Sequence, residues 1–116
     1  MAVENENTLI FKCNKREFVY DGDTKKLTEI STGKSAQLKR KIFKMAALDG
    51  TVYFIDREGD CFMVDDEMNL SFVFGILTLP DDFKIENDLF YVRSNKFNRI
   101  WHYTVNGKIK QISQIN

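Results

Sequence analysis

The stretch from Thr51 to Phe72, TVYFIDREGDCFMVDDEMNLSF, contains two runs in which apolar residues stand on consecutive positions, Val52 to Ile55 and Cys61 to Val64. A short charged segment, Asp56 to Asp60, separates them. A hairpin with one face in water alternates apolar and polar residues with a period of two. Unbroken runs of this length predict strands covered on both faces. The pattern poses a question of architecture: what covers both faces of a hairpin in a chain of 116 residues?

The pattern recurs along the chain. Thr8-Leu9-Ile10-Phe11-Lys12, Thr51-Val52-Tyr53-Phe54-Ile55 and Asp88-Leu89-Phe90-Tyr91-Val92 resemble one another, at offsets of 43 and 37 residues. A polar turn and a second run follow each: Glu17 to Asp21, Cys61 to Asp65 and Arg99 to Tyr103. Third runs follow at Leu27 to Ile30, Leu70 to Val73 and Ile109 to Ile112. Asp21-Gly22-Asp23, Asp65-Asp66-Glu67 and Asn106-Gly107 occupy the same connector in each unit. Asn-Gly predicts a type I′ turn, because both residues tolerate positive φ. Ile42 to Met45 and Asp82 to Ile85 precede the second and third units, whereas Val3 is the only apolar candidate before the first. The chain thus reads as one all-β domain of three four-stranded antiparallel units, about 8–33, 41–75 and 82–115. Helix competes only at Ser35 to Leu48, where Leu38, Ile42 and Met45 lie at i, i+4 and i+7. A loop followed by a strand at Lys41 to Ala46 suits the repeat better.

Four-stranded units of about 40 residues characterise β-propeller blades. The order of apolar strand, turn, Ile-aromatic-x-aromatic, Asn/Asp-Gly and outer strand resembles the generic blade of kelch, NHL and quinoprotein types. The chain has no Gly-His or Trp-Asp pair of the WD type and no kelch-type Gly-Gly. Trp101 is its only tryptophan, so the docking tryptophan of the quinoprotein blades is missing as well. The resemblance therefore implies an architecture and no particular family. In a propeller the blades stack face to face, which would answer the opening question.

Propellers have four to eight blades, and three do not close a ring. A fully buried large apolar side chain is worth roughly 1.5–3 kcal/mol. Leaving about five or six uncovered on each end face would exceed the roughly 5–15 kcal/mol that holds a domain folded. Cover is expected from a second copy, head to tail in a six-bladed ring, or from a partner's propeller. Otherwise the strands curl into a small self-closed β-barrel or β-sandwich.

Composition narrows the classes further. Apolar residues make up 43 %, charged residues 29 %, and ten phenylalanines supply core material. The formal net charge is zero, so no global field selects nucleic acid or an acidic membrane. No apolar stretch approaches a membrane span, and MAVENENT lacks the character of a signal peptide. A cytoplasmic or nuclear protein is expected, with Cys13 and Cys61 as strand thiols.

Little suggests chemistry. His102, the only histidine, lies in an apolar-aromatic run with no orienting carboxylate or nucleophile at a useful spacing, and reads as a packed, hydrogen-bonded strand residue. Three Cys and His residues in total do not make a zinc site. Gly33-Lys34-Ser35 matches the end of a P-loop, but Thr28 stands where its first glycine is required. The carboxylates Asp56, Glu58, Asp60, Asp65, Asp66 and Glu67 do not follow calcium-loop spacing. No enzyme, cofactor or metal is expected. The most pointed local feature is basic: Lys34, Lys39, Arg40, Lys41 and Lys44. It reads as a solvated connector, or as a strip for phosphates or an acidic protein surface. Phe97 with Arg93 and Arg99 forms a second candidate contact, since aromatic and Arg anchors dominate interfaces. The expected function is a protein-interaction or scaffold module, completed by a second copy (a dimer) or by another protein. Small-ligand or glycan binding at repeated polar positions (Asp21, Asp65, Thr104) is one alternative, and nucleic-acid binding through 34–44 another.

Overall fold

In the computed structural model, which describes residues 8–115, the chain is all-β. Among the described residues no helix is long and apolar enough to cross a membrane. The first antiparallel sheet runs β1 (Thr8–Cys13), β2 (Arg16–Asp21), β3 (Lys26–Glu29) and β4 (Ser35–Gln37). The second runs β5 (Ile42–Leu48), β6 (Thr51–Asp56), β7 (Asp60–Val64) and β8 (Leu70–Gly75). The third runs β9 (Asp82–Glu86), β10 (Leu89–Ser94), β11 (Arg99–Thr104) and β12 (Ile109–Gln114). Each is an open meander in chain order, so the strands do not close into a barrel.

Two hydrophobic clusters flank the middle sheet. Val52, Phe54 and Val64 pack with Phe18, Tyr20 and Leu27 of the first sheet. Tyr53, Ile55 and Cys61 pack with Phe83, Phe90 and Trp101 of the third. Successive residues of β6 thus serve opposite neighbours, and its apolar run needs no polar interruption. Aromatic contacts tie the second cluster together. The Tyr53 ring meets Phe90 edge-on at 4.9 Å, and Phe74 stacks on Tyr103 at 4.1 Å. The strands β5 and β9 run close together, and Lys44 Nζ reaches Asp82 Oδ1 at 3.1 Å across that seam.

The first unit is offset from the other two. Its β1 corresponds in sequence to β6 and β10, which are the second strands of their sheets, and Val3 lies outside the described residues. The unit instead gains β4 at its outer edge, within the segment where a helix competed. There Ala36 and Leu38 face the first cluster. The helix-like spacing of Ile42 and Met45 has a simple origin. The register of β5 shifts between Ile42 and Lys44, so residues three apart fall on one face, opposite Asp56 and Phe54. Turn chemistry also differs from expectation at Asn106-Gly107. Only Gly107 has positive φ (82°), and Gly107 N–H donates to the Thr104 carbonyl at 2.9 Å. Any Cβ at Gly107 would collide with the Val73 carbonyl. Paired positive φ values occur at Asp49-Gly50 and Asn87-Asp88, which close the β5–β6 and β9–β10 hairpins.

The outward faces of the end sheets are mixed rather than apolar. Ile10 and Val19 lie among Lys12, Glu17, Asp21 and Lys26 on the first, as the register places them. On the third, Lys84, Tyr91, His102 and Gln111 form a cross-strand row. The apolar area left open is therefore smaller than the repeat alone suggests, and head-to-tail closure is not compelled.

An ion pair within the first unit also reaches the second. Arg16 Nε and Nη2 donate to Glu29 at 2.9 and 3.2 Å, and Nη2 also donates to the Asp65 carbonyl at 3.0 Å. The guanidinium lies 4.8 Å over the Phe18 ring. The Arg16 hydrogen bond holds the Glu29 carboxyl below its ordinary range, against the opposing effect of burial. Replacing Arg16 with Met leaves a buried, unpaired carboxylate and should cost about 3 kcal/mol in urea unfolding. A depressed carboxyl pKa contributes stability above the unfolded value of 4.5 and loses it as pH falls through the folded value. The wild type should therefore lose more stability than an R16M/E29Q double variant between about pH 5 and about pH 3. Equal losses would contradict the assignment.

Candidate functional site

The basic segment does not form an open cationic strip. Lys34 Nζ pairs with Glu67 Oε2 at 2.6 Å, which ties β4 to the β7–β8 turn. Arg40 faces three carboxylates: Nε meets Glu58 at 2.7 Å, and Nη1 meets Asp60 at 2.7 Å and Asp56 at 3.7 Å. A guanidinium so engaged has little capacity left for phosphate. Lys41 contributes its carbonyl, which accepts from Arg57 N–H at 2.9 Å. Lys39 is exposed and has no ion-pair partner among the described residues.

The second predicted set is brought together only in part. Arg93 lies on the outward face of the third sheet, opposite Asp82 and Ile100. Arg99 lies on the other face, in register with Gln114. Phe97, 48 % exposed in the β10–β11 turn, shares with Arg99 and Ile112 an open depression of about 420 Å³. Lys96 Nζ sits 5.7 Å from the Phe97 ring centre.

The acidic residues have structural partners. Asp56 Oδ1 accepts from the N–H groups of Glu58 and Asp60, and Asp65 Oδ1 from those of Glu67 and Asn69, all within 3.0 Å. Asp21 and Thr104, weighed with Asp65 as repeated ligand positions, likewise accept from backbone N–H groups in their own turns. The repetition is thus a repetition of turn caps. Burial raises the Asp56 carboxyl above its ordinary range, while those amides and Arg40 act against the rise. The His102 ring meets Tyr91 edge-on at 4.4 Å, and its Nε2 lies 3.3 Å from Ser113 Oγ. Cys13 and Cys61 are free, and burial pushes the Cys61 thiol well up.

The most unusual surface lies in a loop between the second and third units, Gly75-Ile76-Leu77-Thr78-Leu79-Pro80. Ile76, Thr78 and Pro80 are buried, whereas Leu77 is 91 % and Leu79 53 % exposed. The loop is seated on the β6–β7 turn. Ile76 N–H donates to the Gly59 carbonyl at 3.0 Å, and a Cβ at Gly59 would strike the Thr78 carbonyl. Leu77 takes φ 62°, a left-handed conformation that costs a non-glycine residue roughly 1–2 kcal/mol. Leu77 to Leu79 share with Arg40, Arg57, Glu58 and Asp60 a depression of about 280 Å³. On the far side of Arg40, between the first and second sheets, lies an apolar groove of about 200 Å³. Phe54, Phe62, Leu70 and Leu38 line it, under Lys39 and Gln37. The three-residue β4 is too short to cover β8, and Phe72 stands 61 % exposed beside it.

Leu77→Gly removes the backbone strain and deletes an exposed side chain, partly offset by glycine's extra freedom in the unfolded chain. Stability should be unchanged, or rise by up to about 1 kcal/mol, in urea unfolding. A loss above about 1 kcal/mol would show that Leu77 packs within its own chain.

No family model matches the chain, and no curated protein matches it well enough to lend it a function.

Proposed function

We propose that this protein is a protein-interaction module, with no chemistry of its own, whose contact surface is the Leu77–Leu79 loop and the groove beside Arg40. The observation that carries this reading is Leu77, 91 % exposed and held at positive φ by buried neighbours on both sides. The Leu77 side chain, so exposed, gains little from packing within the described chain. Strained, solvent-facing apolar residues on a fixed support are a common feature of contact sites. The groove adds an apolar floor, and the charged residues around Arg40 add a polar rim. The partner is a second copy or another protein. Completion of the array through its end sheets is the less favoured route, because their outward faces carry polar rows. Nucleic-acid binding through 34–44 is disfavoured by the pairing of Lys34, Arg40 and Lys44 with carboxylates.

A photo-crosslinking residue placed at position 77, in an extract of the protein's own cells, should give an adduct of discrete mass. The same residue at Lys26, exposed on the outward face of the first sheet, should not. Identical adducts from both positions, or none from position 77, would contradict the proposal.

A further inference from the structure

We infer that the free edge of β12 is a second contact site, which takes an extended acidic segment of another protein as a fifth strand of the third sheet. The site is separate from the Leu77–Leu79 loop and does not depend on it. Among the described strands, β12 ends its sheet with β11 as its neighbour, so one side of its backbone is open to a further strand. The register puts Ile112 opposite Trp101 and Ile109 opposite Tyr103. Directly opposed residues share a face, so both isoleucines lie on the side where Trp101 and Tyr103 pack toward the second sheet. The cover stops short of them. Trp101 is buried, whereas both isoleucines stay half-exposed. They form an apolar ledge along the open edge.

Charge around this edge has one sign. The chain as a whole is neutral, yet from Leu89 onward it contains Arg93, Lys96, Arg99, Lys108 and Lys110 and no Asp or Glu. Lys108 and Lys110 stand at the start of β12. Arg99, in register with Gln114, and Lys96, in the adjoining turn, stand at its end. Among the described residues none of these four is in an ion pair, unlike Lys34, Arg40 and Lys44. Asp81, Asp82 and Glu86, which precede β10, are already engaged by the Asn95 N–H, by Lys44 and by Lys84.

Lysines on an edge strand are a usual guard against strand addition. They exclude a second copy, whose own β12 would bring like charges to like, but they attract a strand that carries carboxylates. A guard alone does not call for Arg99, or for Phe97 and Ile112 exposed around an open depression of about 420 Å³. Aromatic and Arg side chains of this kind anchor interfaces. The strand β12 is 6 residues long, about 20 Å at about 3.4 Å per residue, which sets the length of the added segment. Single-stranded nucleic acid requires successive stacking platforms. In this unit Phe97 is the one exposed aromatic among the described residues, while Tyr91 and His102 pack on each other on the opposite face.

Fluorescence anisotropy with a labelled octapeptide alternating glutamate and valine tests the inference. At low salt the protein should bind it at least tenfold tighter than an octapeptide alternating lysine and valine. Raising the salt to about 0.5 M should weaken that binding at least fivefold. In NMR spectra of the wild type the peptide should shift the amides of Ile109 to Gln114 and leave those of Leu77 and Leu79 in place. K108E/K110E should reverse the preference between the two peptides at an unchanged urea midpoint, and Phe97→Ser should weaken the acidic one at least threefold. Should the variants lose stability, the salt series and the wild-type spectra still decide. Tighter binding of a single-stranded thymidine dodecamer, with shifts on the same amides, would reassign the edge to nucleic acid and overturn the inference. Equal affinity for the two peptides, shifts centred on Leu77 and Leu79, or no binding of the acidic peptide at about 1 mM would overturn it too.

Discussion

The constraint on which the rest depends is that the middle sheet is buried on both faces. Val52 and Phe54 point to the first sheet, and Tyr53 and Ile55 to the third. A strand so placed has no solvent side, so its composition is apolar throughout and its neighbours must bring apolar faces of their own. The first and third sheets meet this with one face each and keep mixed or polar residues on the other. A three-layer stack with a fully apolar centre and amphipathic outer layers satisfies the hydrophobic effect without closing a ring. The abundance of phenylalanine follows, since rings fill the gaps between twisted sheets at low entropic cost.

Charge acts here mainly as internal stitching. Arg16–Glu29 and Lys34–Glu67 join the first unit to itself and to the second, and Lys44–Asp82 joins the second to the third. The carboxylates clustered in sequence are held by turn amides, by Arg40 or, for Asp66 and Glu67, by Arg16 and Lys34. The exposed side chains of Leu77 and Leu79, by contrast, are apolar. The loop at Leu77 is seated against Gly59, which has no room for a Cβ. The Thr78 carbonyl fills that space at Gly59, and Asp60 Oδ1 lies 2.6 Å from the missing Cβ of Gly75. The exposed leucines thus sit on a loop seated over the buried Gly59.

Much of the fold was legible because strand runs and turn residues are local signals. The runs at Thr8, Thr51 and Asp88 became β1, β6 and β10, within three four-stranded antiparallel sheets. The strand β4 was not legible, because three residues in a Lys-rich connector carry no periodicity. The bulge at Ile42–Lys44 mimicked a helix by bringing residues three apart to one face. The candidate site was read less well. The basic segment was visible as composition, but its neutralisation depends on partners such as Glu58, Asp60 and Glu67, which only folding brings near. Phe97 and Arg99 share a depression, whereas strand alternation sends Arg93 to the opposite face. Leu77 and Leu79 fall between the repeated runs, which give them no role. Only the seating of Thr78 and Pro80 shows which side of the loop faces water.

Amide hydrogen exchange followed by NMR tests the three-layer stack most directly. If both faces of the middle sheet are covered, the amides of Val52 to Ile55 in β6 exchange only through global unfolding. Those of β4 and β12, at the outer edges, exchange faster by local opening. Slowest exchange confined to the first or third sheet, with β6 opening locally, would contradict the account.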